Sequence, residues 1–95
     1  MIAIARSLMR KPSLLLLDEP SLGLAPFIKK DIVDAIKEIN KTEKNISILV
    51  VEQDITMAFE ICTRGYVMEN GRIRYKGSKK EILKNPYVRE SFLGL

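Results

Sequence analysis

The sequence predicts an α/β chain in which parallel strands with flanking helices are followed by a β-hairpin and small C-terminal helices. Three features point to it. Two short apolar runs, Leu14 to Leu17 and Ile46 to Val51, enclose a long stretch with helical periodicity, the pattern of a strand–helix–strand unit with a parallel sheet. Each run ends at acidic residues, Asp18-Glu19 and Glu52-Gln53-Asp54. Asn70-Gly71 then sits between two further strand-like segments, Tyr66 to Glu69 and Arg72 to Tyr75. Asn-Gly is the preferred pair for a type I′ hairpin turn.

At the front, Ile2, Ile4, Ala5, Leu8 and Met9 recur at helical spacing, with Arg6, Arg10 and Lys11 on the other side or at the end. This predicts the last part of an amphipathic helix. No Ser, Thr, Asp or Asn precedes Ile2 to cap it, so the chain is expected to be cut at its front edge. Pro12 and Ser13 break this helix. Four leucines fit a helix or a strand, but the break before them and Asp18-Glu19-Pro20 after them favour a buried parallel strand. Ser21 to Pro26 reads as a loop, and Pro26 suits the first turn of a helix, where an N–H has no helical partner. Phe27, Ile28, Ile32, Val33, Ala35, Ile36 and Ile39 carry that helix, which Asn40 to Asn45 ends. After the β-branched second strand, a short helix runs through Met57, Ala58 and Ile61. Ser78 and Glu81 form a capping box for a small helix, and Asn85-Pro86 divides it from a last one ending near Leu93. Met57 and Cys62 read as packing residues, and the aromatic residues are scattered, with no aromatic pair that suggests an adenine-stacking site.

Composition narrows the class. Ninety-five residues make one compact unit at most, burying roughly 60 to 65% of the unfolded surface. No apolar run approaches the roughly 18 residues of a membrane span, and the start lacks the pattern of a secretory signal. A cytoplasmic setting is expected. Cys62 is the only cysteine and there is no histidine, so neither an internal disulfide nor a Cys/His metal cage can form. The net charge of +4 is uneven: residues 1–61 hold 8 Lys/Arg against 9 Asp/Glu, and residues 62–95 hold 8 against 3. The basic tail is expected to be a solvated face, with no nucleic acid bound.

The stretch that carries chemistry is LLLLDEPSLGLAP, residues 14–26. A strand delivering Asp18 and Glu19 side by side sends two carboxylates in different directions from one strand end. In phosphoryl transfer the first suits a magnesium ion held through its water shell, and the second suits orienting the attacking water. A strand that merely ends in surface acids accounts for the same residues.

LLLLDEP resembles the Walker B strand and catalytic Glu of the ABC ATPase family, and Ser21-Leu22-Gly23-Leu24 stands where that family has its D-loop. The resemblance covers essentially the whole chain. It implies the C-terminal part of a P-loop, RecA-like ABC nucleotide-binding domain over residues 1–95, with ATP and Mg²⁺ as cofactors. On the same resemblance Asp18 serves the metal, Glu19 the water, and Ser21, Leu22, Gly23 and Leu24 line the nucleotide at the dimer interface. Val50-Val51-Glu52-Gln53-Asp54 matches the strand that ends in the family's switch residue, with Gln53 where His is usual. A Gln amide still donates to a phosphate oxygen but carries no charge. The loop usually ends in Asp where this chain has Leu24. SLGLAP, VEQ and GYVMENGRI together resemble the ATP-binding subunits of branched-chain amino acid importers and their urea or amide-importing relatives.

The implied partners are a second ABC ATPase subunit, membrane permease subunits and, indirectly, a substrate-binding protein, on the cytoplasmic face of the membrane. The sequence contains no G-x-x-x-x-G-K-[ST] loop, and the family's Q-loop and signature segment are also absent. The chain alone is therefore expected neither to bind ATP tightly nor to hydrolyse it. Two other readings stand beside this one: part of a soluble ABC ATPase acting on DNA or the ribosome, and a noncatalytic remnant.

Overall fold

The computed structural model describes residues 2–92 and 94. Its elements run α1 (Ile2–Leu8), β1 (Leu14–Asp18), α2 (Pro26–Thr42), β2 (Ser47–Val51), α3 (Ile55–Ile61), β3 (Arg64–Glu69), β4 (Arg72–Ser78), α4 (Lys79–Lys84) and α5 (Pro86–Phe92). The expected α/β order is present. β1 and β2 pair in parallel, from Leu14 opposite Ser47 to Asp18 opposite Val51, with α2 as the crossover. β3 and β4 form a separate antiparallel hairpin. Its turn has positive φ at both Asn70 (51°) and Gly71 (75°), as a type I′ turn requires, and Gly71 meets that demand without a Cβ penalty. The pairing steps from Val67–Tyr75 to Met68–Ile73, leaving Arg74 as an extra residue in β4. Such a bulge raises the local twist of the hairpin.

The core sits between α2, α3 and one face of the parallel pair. Ile32, Val33, Ile36 and Met57 form its buried cluster, with Leu17, Ile28, Ile48 and Ile61 packed against it. Burying each of the four side chains of that cluster contributes about 1.5–3 kcal/mol. Pro26 opens α2 as expected, after Ala25, which gives no side-chain cap. Phe27 departs from its expected place in the apolar stripe: it is 70% exposed. Met9, outside the helix that was expected to include it, is also exposed.

The two strands are buried on one face only. Leu15 is buried while Leu14, Leu16, Leu49 and Val51 are half or more exposed, all on the other face. In this chain the strands are therefore half-buried, because among the described residues no element covers that second face. No helix among the described residues is long and apolar enough to cross a membrane.

In the C-terminal part, Ile82 and Val88 are buried under the hairpin and the two small helices. The capping box forms in modified shape. The Ser78 hydroxyl accepts the Glu81 N–H at 3.2 Å and donates to Glu81 Oε1 at 3.1 Å, while the Lys79 N–H is taken by the Thr63 carbonyl at 3.0 Å. The reading of the aromatic residues as scattered needs correction. Tyr75 and Tyr87 are brought together by the fold, with ring centroids 5.6 Å apart at 39°, and the Tyr87 hydroxyl donates to Glu69 Oε1 at 2.7 Å. That bond holds the phenol proton and pushes its pKa up, since a nearby carboxylate disfavours the phenolate. No short spacing in the sequence linked positions 75 and 87. Met57 packs as expected, and Cys62 is a half-buried free thiol whose pKa is raised by burial. The expected helix end near Leu93 lies outside the described residues.

Ile36→Ala, at a side chain 3% exposed, should lower the unfolding free energy by about 2–5 kcal/mol in a urea titration, against under about 1 kcal/mol for Leu16→Ala, which is 64% exposed.

Candidate functional site

The parallel register brings the ends of β1 and β2 to the same edge of the sheet. Asp18 lies opposite Val51, and the next residue, Glu19, donates its N–H to the Val51 carbonyl at 2.7 Å. In open α/β sheets ligands bind outside the carboxyl ends of the strands, and this is that edge. Asp18 lies on the exposed face of β1 with Leu14 and Leu16. Glu19 is half-buried and has a positive φ of 47°. A bulky residue in the left-handed region costs about 1–2 kcal/mol, so the surrounding bonds must hold it there. They do so from both sides: beyond the bond to Val51, the Glu19 carbonyl accepts the Leu22 N–H at 3.1 Å, closing a turn with Pro20 at its second position. Pro there pre-sets the φ that the turn needs. A second turn follows, Leu24 N–H to the Ser21 carbonyl at 3.1 Å, with Gly23 at φ 73°.

The two carboxylates thus differ in burial, Asp18 exposed and Glu19 half-buried. Among the described residues neither side chain makes a hydrogen bond or ion pair, so both are open to a ligand. The residues expected to line a nucleotide divide: Ser21 is buried at 3% exposure, whereas Leu22 is 71% and Leu24 36% exposed, an apolar rim on the loop. Gln53 is exposed and stands two residues beyond the β2 residue opposite Asp18. The fold therefore brings Asp18, Glu19, the 21–24 loop and Gln53 to one edge.

Two residues that sequence reasoning passed over organise this edge. Glu52 accepts three main-chain N–H groups: Ser21 at Oε2 (3.3 Å), and Gln53 (3.1 Å) and Asp54 (3.2 Å) at Oε1. Nothing local in the sequence signals the bond to Ser21, which spans 31 residues. Asp54 is the N-cap of α3, accepting the Met57 N–H at 3.1 Å, and pairs with Lys29 Nζ at 3.2 Å. An Asp just before an apolar helical run is a readable cap signal. The Met57 N–H and then Lys29 stabilise the charged form and hold the Asp54 pKa below its ordinary value of 3.8, against a smaller opposing effect of burial.

No cluster of three or more Asp, Glu, Cys or His able to cage a metal occurs among the described residues. The donor set at this edge, one exposed and one half-buried carboxylate, still fits a magnesium ion, which keeps most of its water and takes one or two protein carboxylates beside phosphate oxygens.

Over 94 residues the chain is 46% identical to the high-affinity branched-chain amino acid transport ATP-binding protein BraG of Pseudomonas aeruginosa, matching 99% of this chain and 40% of that protein. The fold agrees with a solved structure of cbiO1 from Clostridium perfringens, part of the ABC transporter complex cbiONQ. The TM-score is 0.78 at 33% identity, over 95% of this chain and 36% of that one. This chain belongs with the ATP-binding subunits of ABC transporters. Its fold is that of the ABC nucleotide-binding domain, and it spans about 40% or less of the length of these relatives. A further member of the family, the lipopolysaccharide export system ATP-binding protein LptB of Acidithiobacillus ferridurans, is 32% identical over 93 residues, 98% of this chain and 38% of that protein. No family model matches the chain.

Asp54→Ala should cost about 1 kcal/mol of stability at neutral pH through loss of the cap. Because the native pKa is depressed, the contribution of Asp54 is complete above its ordinary value of 3.8 and is lost as the pH falls through the lower native value. Unfolding midpoints of wild type and variant, followed from pH 7 downward, should therefore converge below about pH 3.8.

Proposed function

We propose that residues 1–95 are the C-terminal portion of one ABC ATPase domain and supply the metal-and-water half of an ATP site. In this reading the intact subunit energises import of branched-chain amino acids. The observation that carries it is the register itself: Asp18, Glu19 and Gln53 share one sheet edge, with the carboxylates of Asp18 and Glu19 unengaged among the described residues. Asp18 would hold Mg²⁺, mainly through the ion's water shell; when bound, the ion neutralises charge on the phosphates. Glu19, turned out of the strand by its positive φ, orients the attacking water and draws on its proton, a role that typically contributes about 10²–10⁴ in rate. Gln53 donates its amide to the γ-phosphate, favouring the charge that develops on transfer.

The 21–24 loop, with exposed Leu22 and Leu24, faces a second ATPase subunit across the nucleotide. Membrane permease subunits, and indirectly a substrate-binding protein, complete the assembly on the cytoplasmic face of the membrane. The higher identity to a branched-chain amino acid protein, 46% against 32% for a lipopolysaccharide exporter subunit, favours amino-acid import. The chain holds no Gly-rich Lys loop, whose N–H cradle and Lys supply most of the phosphate grip, so by itself it neither binds ATP tightly nor hydrolyses it.

In a full-length subunit carrying these residues as its C-terminal part, Glu19→Gln should abolish turnover while ATP binding persists, read by phosphate release and by a fluorescent ATP analogue. Retained turnover would remove Glu19 from its role. Gln53→Ala should lower kcat more than it weakens ATP binding, and an unchanged kcat would count against Gln53 as the switch.

A further inference from the structure

We propose that Glu52 is a positioning residue for ATP hydrolysis, its carboxylate fastening the loop after β1 to the corner that presents Gln53. The inference rests on the ATPase reading given above. The ladder between β1 and β2 ends at Asp18 and Val51, and the Glu19 N–H adds one more rung to the Val51 carbonyl. Beyond that point the two chains diverge, and main-chain pairing cannot continue. Glu52 bridges the gap with its side chain: Oε2 takes the N–H of buried Ser21, and Oε1 takes the N–H groups of Gln53 and Asp54. One carboxylate thus satisfies three backbone donors drawn from both corners.

Ionised carboxylate is the side chain suited to this place, since it is acceptor-only at both oxygens. The neighbour on the other side of Gln53 is held as well. Asp54 is fixed by the Met57 N–H and by Lys29 on α2. Gln53 therefore sits exposed between two anchored carboxylates, and its backbone cannot shift against Glu19 without breaking a bond to one of them. Small misplacements of groups around a reacting centre carry large kinetic costs. A residue that sets the spacing between the water-orienting Glu19 and the phosphate-facing Gln53 acts on the rate without touching nucleotide.

Glu52→Gln is nearly isosteric. It leaves one carbonyl oxygen for Gln53 and Asp54 but turns an amide NH₂ toward the Ser21 N–H, donor against donor. In the full-length subunit we expect kcat to fall about 10- to 100-fold with the dissociation constant of a fluorescent ATP analogue within about twofold of wild type. Adding Glu52→Gln to Gln53→Ala should cost little beyond Gln53→Ala alone, because the effect runs through Gln53. The shorter carboxylate of Glu52→Asp, measured in parallel, should show the same loss and the same non-additivity. Wild-type kcat in either variant, or losses that multiply with Gln53→Ala, would overturn the role. Wild type and Glu19→Gln separate this from the parent reading. If the wild-type full-length subunit releases no phosphate from ATP, the ATPase assignment itself falls; if wild type turns over and Glu19→Gln is inactive while Glu52→Gln turns over normally, only the role of Glu52 falls.

Discussion

The parallel pairing of Leu14–Asp18 with Ser47–Val51 is the constraint on which the candidate site depends. Residues 33 positions apart become neighbours, and because the strands run in the same direction, both polar corners arrive at the same edge. An antiparallel pairing of the same segments would have separated them by the length of a strand. The pairing is held by the crossover helix, whose Ile32, Val33 and Ile36 pack with Met57 against the inner face of the sheet. Core packing and site geometry are thus one arrangement: a shift of α2 across the sheet would carry Lys29, and with it Asp54, away from the edge.

Four carboxylates gather there, and the fold divides them by the partners it gives them. Glu52 and Asp54 are committed to backbone N–H groups and, for Asp54, to Lys29. Asp18 and Glu19 have no such partners among the described residues. What stays available is a pair whose charge is not spent on structure. The positive φ of Glu19 falls at the same place, at the residue where the strand ends and the loop begins. The outcome is an edge with two unengaged acids after the first strand and two bonded ones after the second, with Gln53 between the latter.

Much of this was legible in the sequence because it depends on local rules. The Pro26 helix start, the Asn70-Gly71 turn and the Ser78–Glu81 cap each follow from a few adjacent residues, and all appear in the structure, while the hairpin strands extend two and three residues beyond their expected ends. The adjacency of Asp18 and Glu19 was equally visible. What escaped were consequences of distance along the chain: the Glu52 carboxylate reaching Ser21, the Tyr75–Tyr87 contact and the exposure of Phe27. Periodicity marks which side of a helix is apolar but not how far a neighbouring layer extends over it. That is why Phe27 reads as core and lies in solvent, and why two strands that read as buried present Leu14, Leu16, Leu49 and Val51 on an open face.

The wide separation of the two strands also sets an order in time. Helix α2 closes through local contacts, and helices form in about 0.1–1 μs, whereas pairing across 33 positions must wait for the crossover to be in place. Until then two apolar, β-prone segments stand unpaired, the species most apt to stack with another chain. Each segment is bracketed by charge: Arg10 and Lys11 precede the first and Asp18 and Glu19 close it, while Lys41 and Lys44 precede the second and Glu52 and Asp54 close it. Charges flanking a hydrophobic strand act as gatekeepers against association. The acids gathered at the finished edge therefore serve twice, first by keeping the nascent strands apart from those of other chains, and only later by shaping what the folded edge can hold.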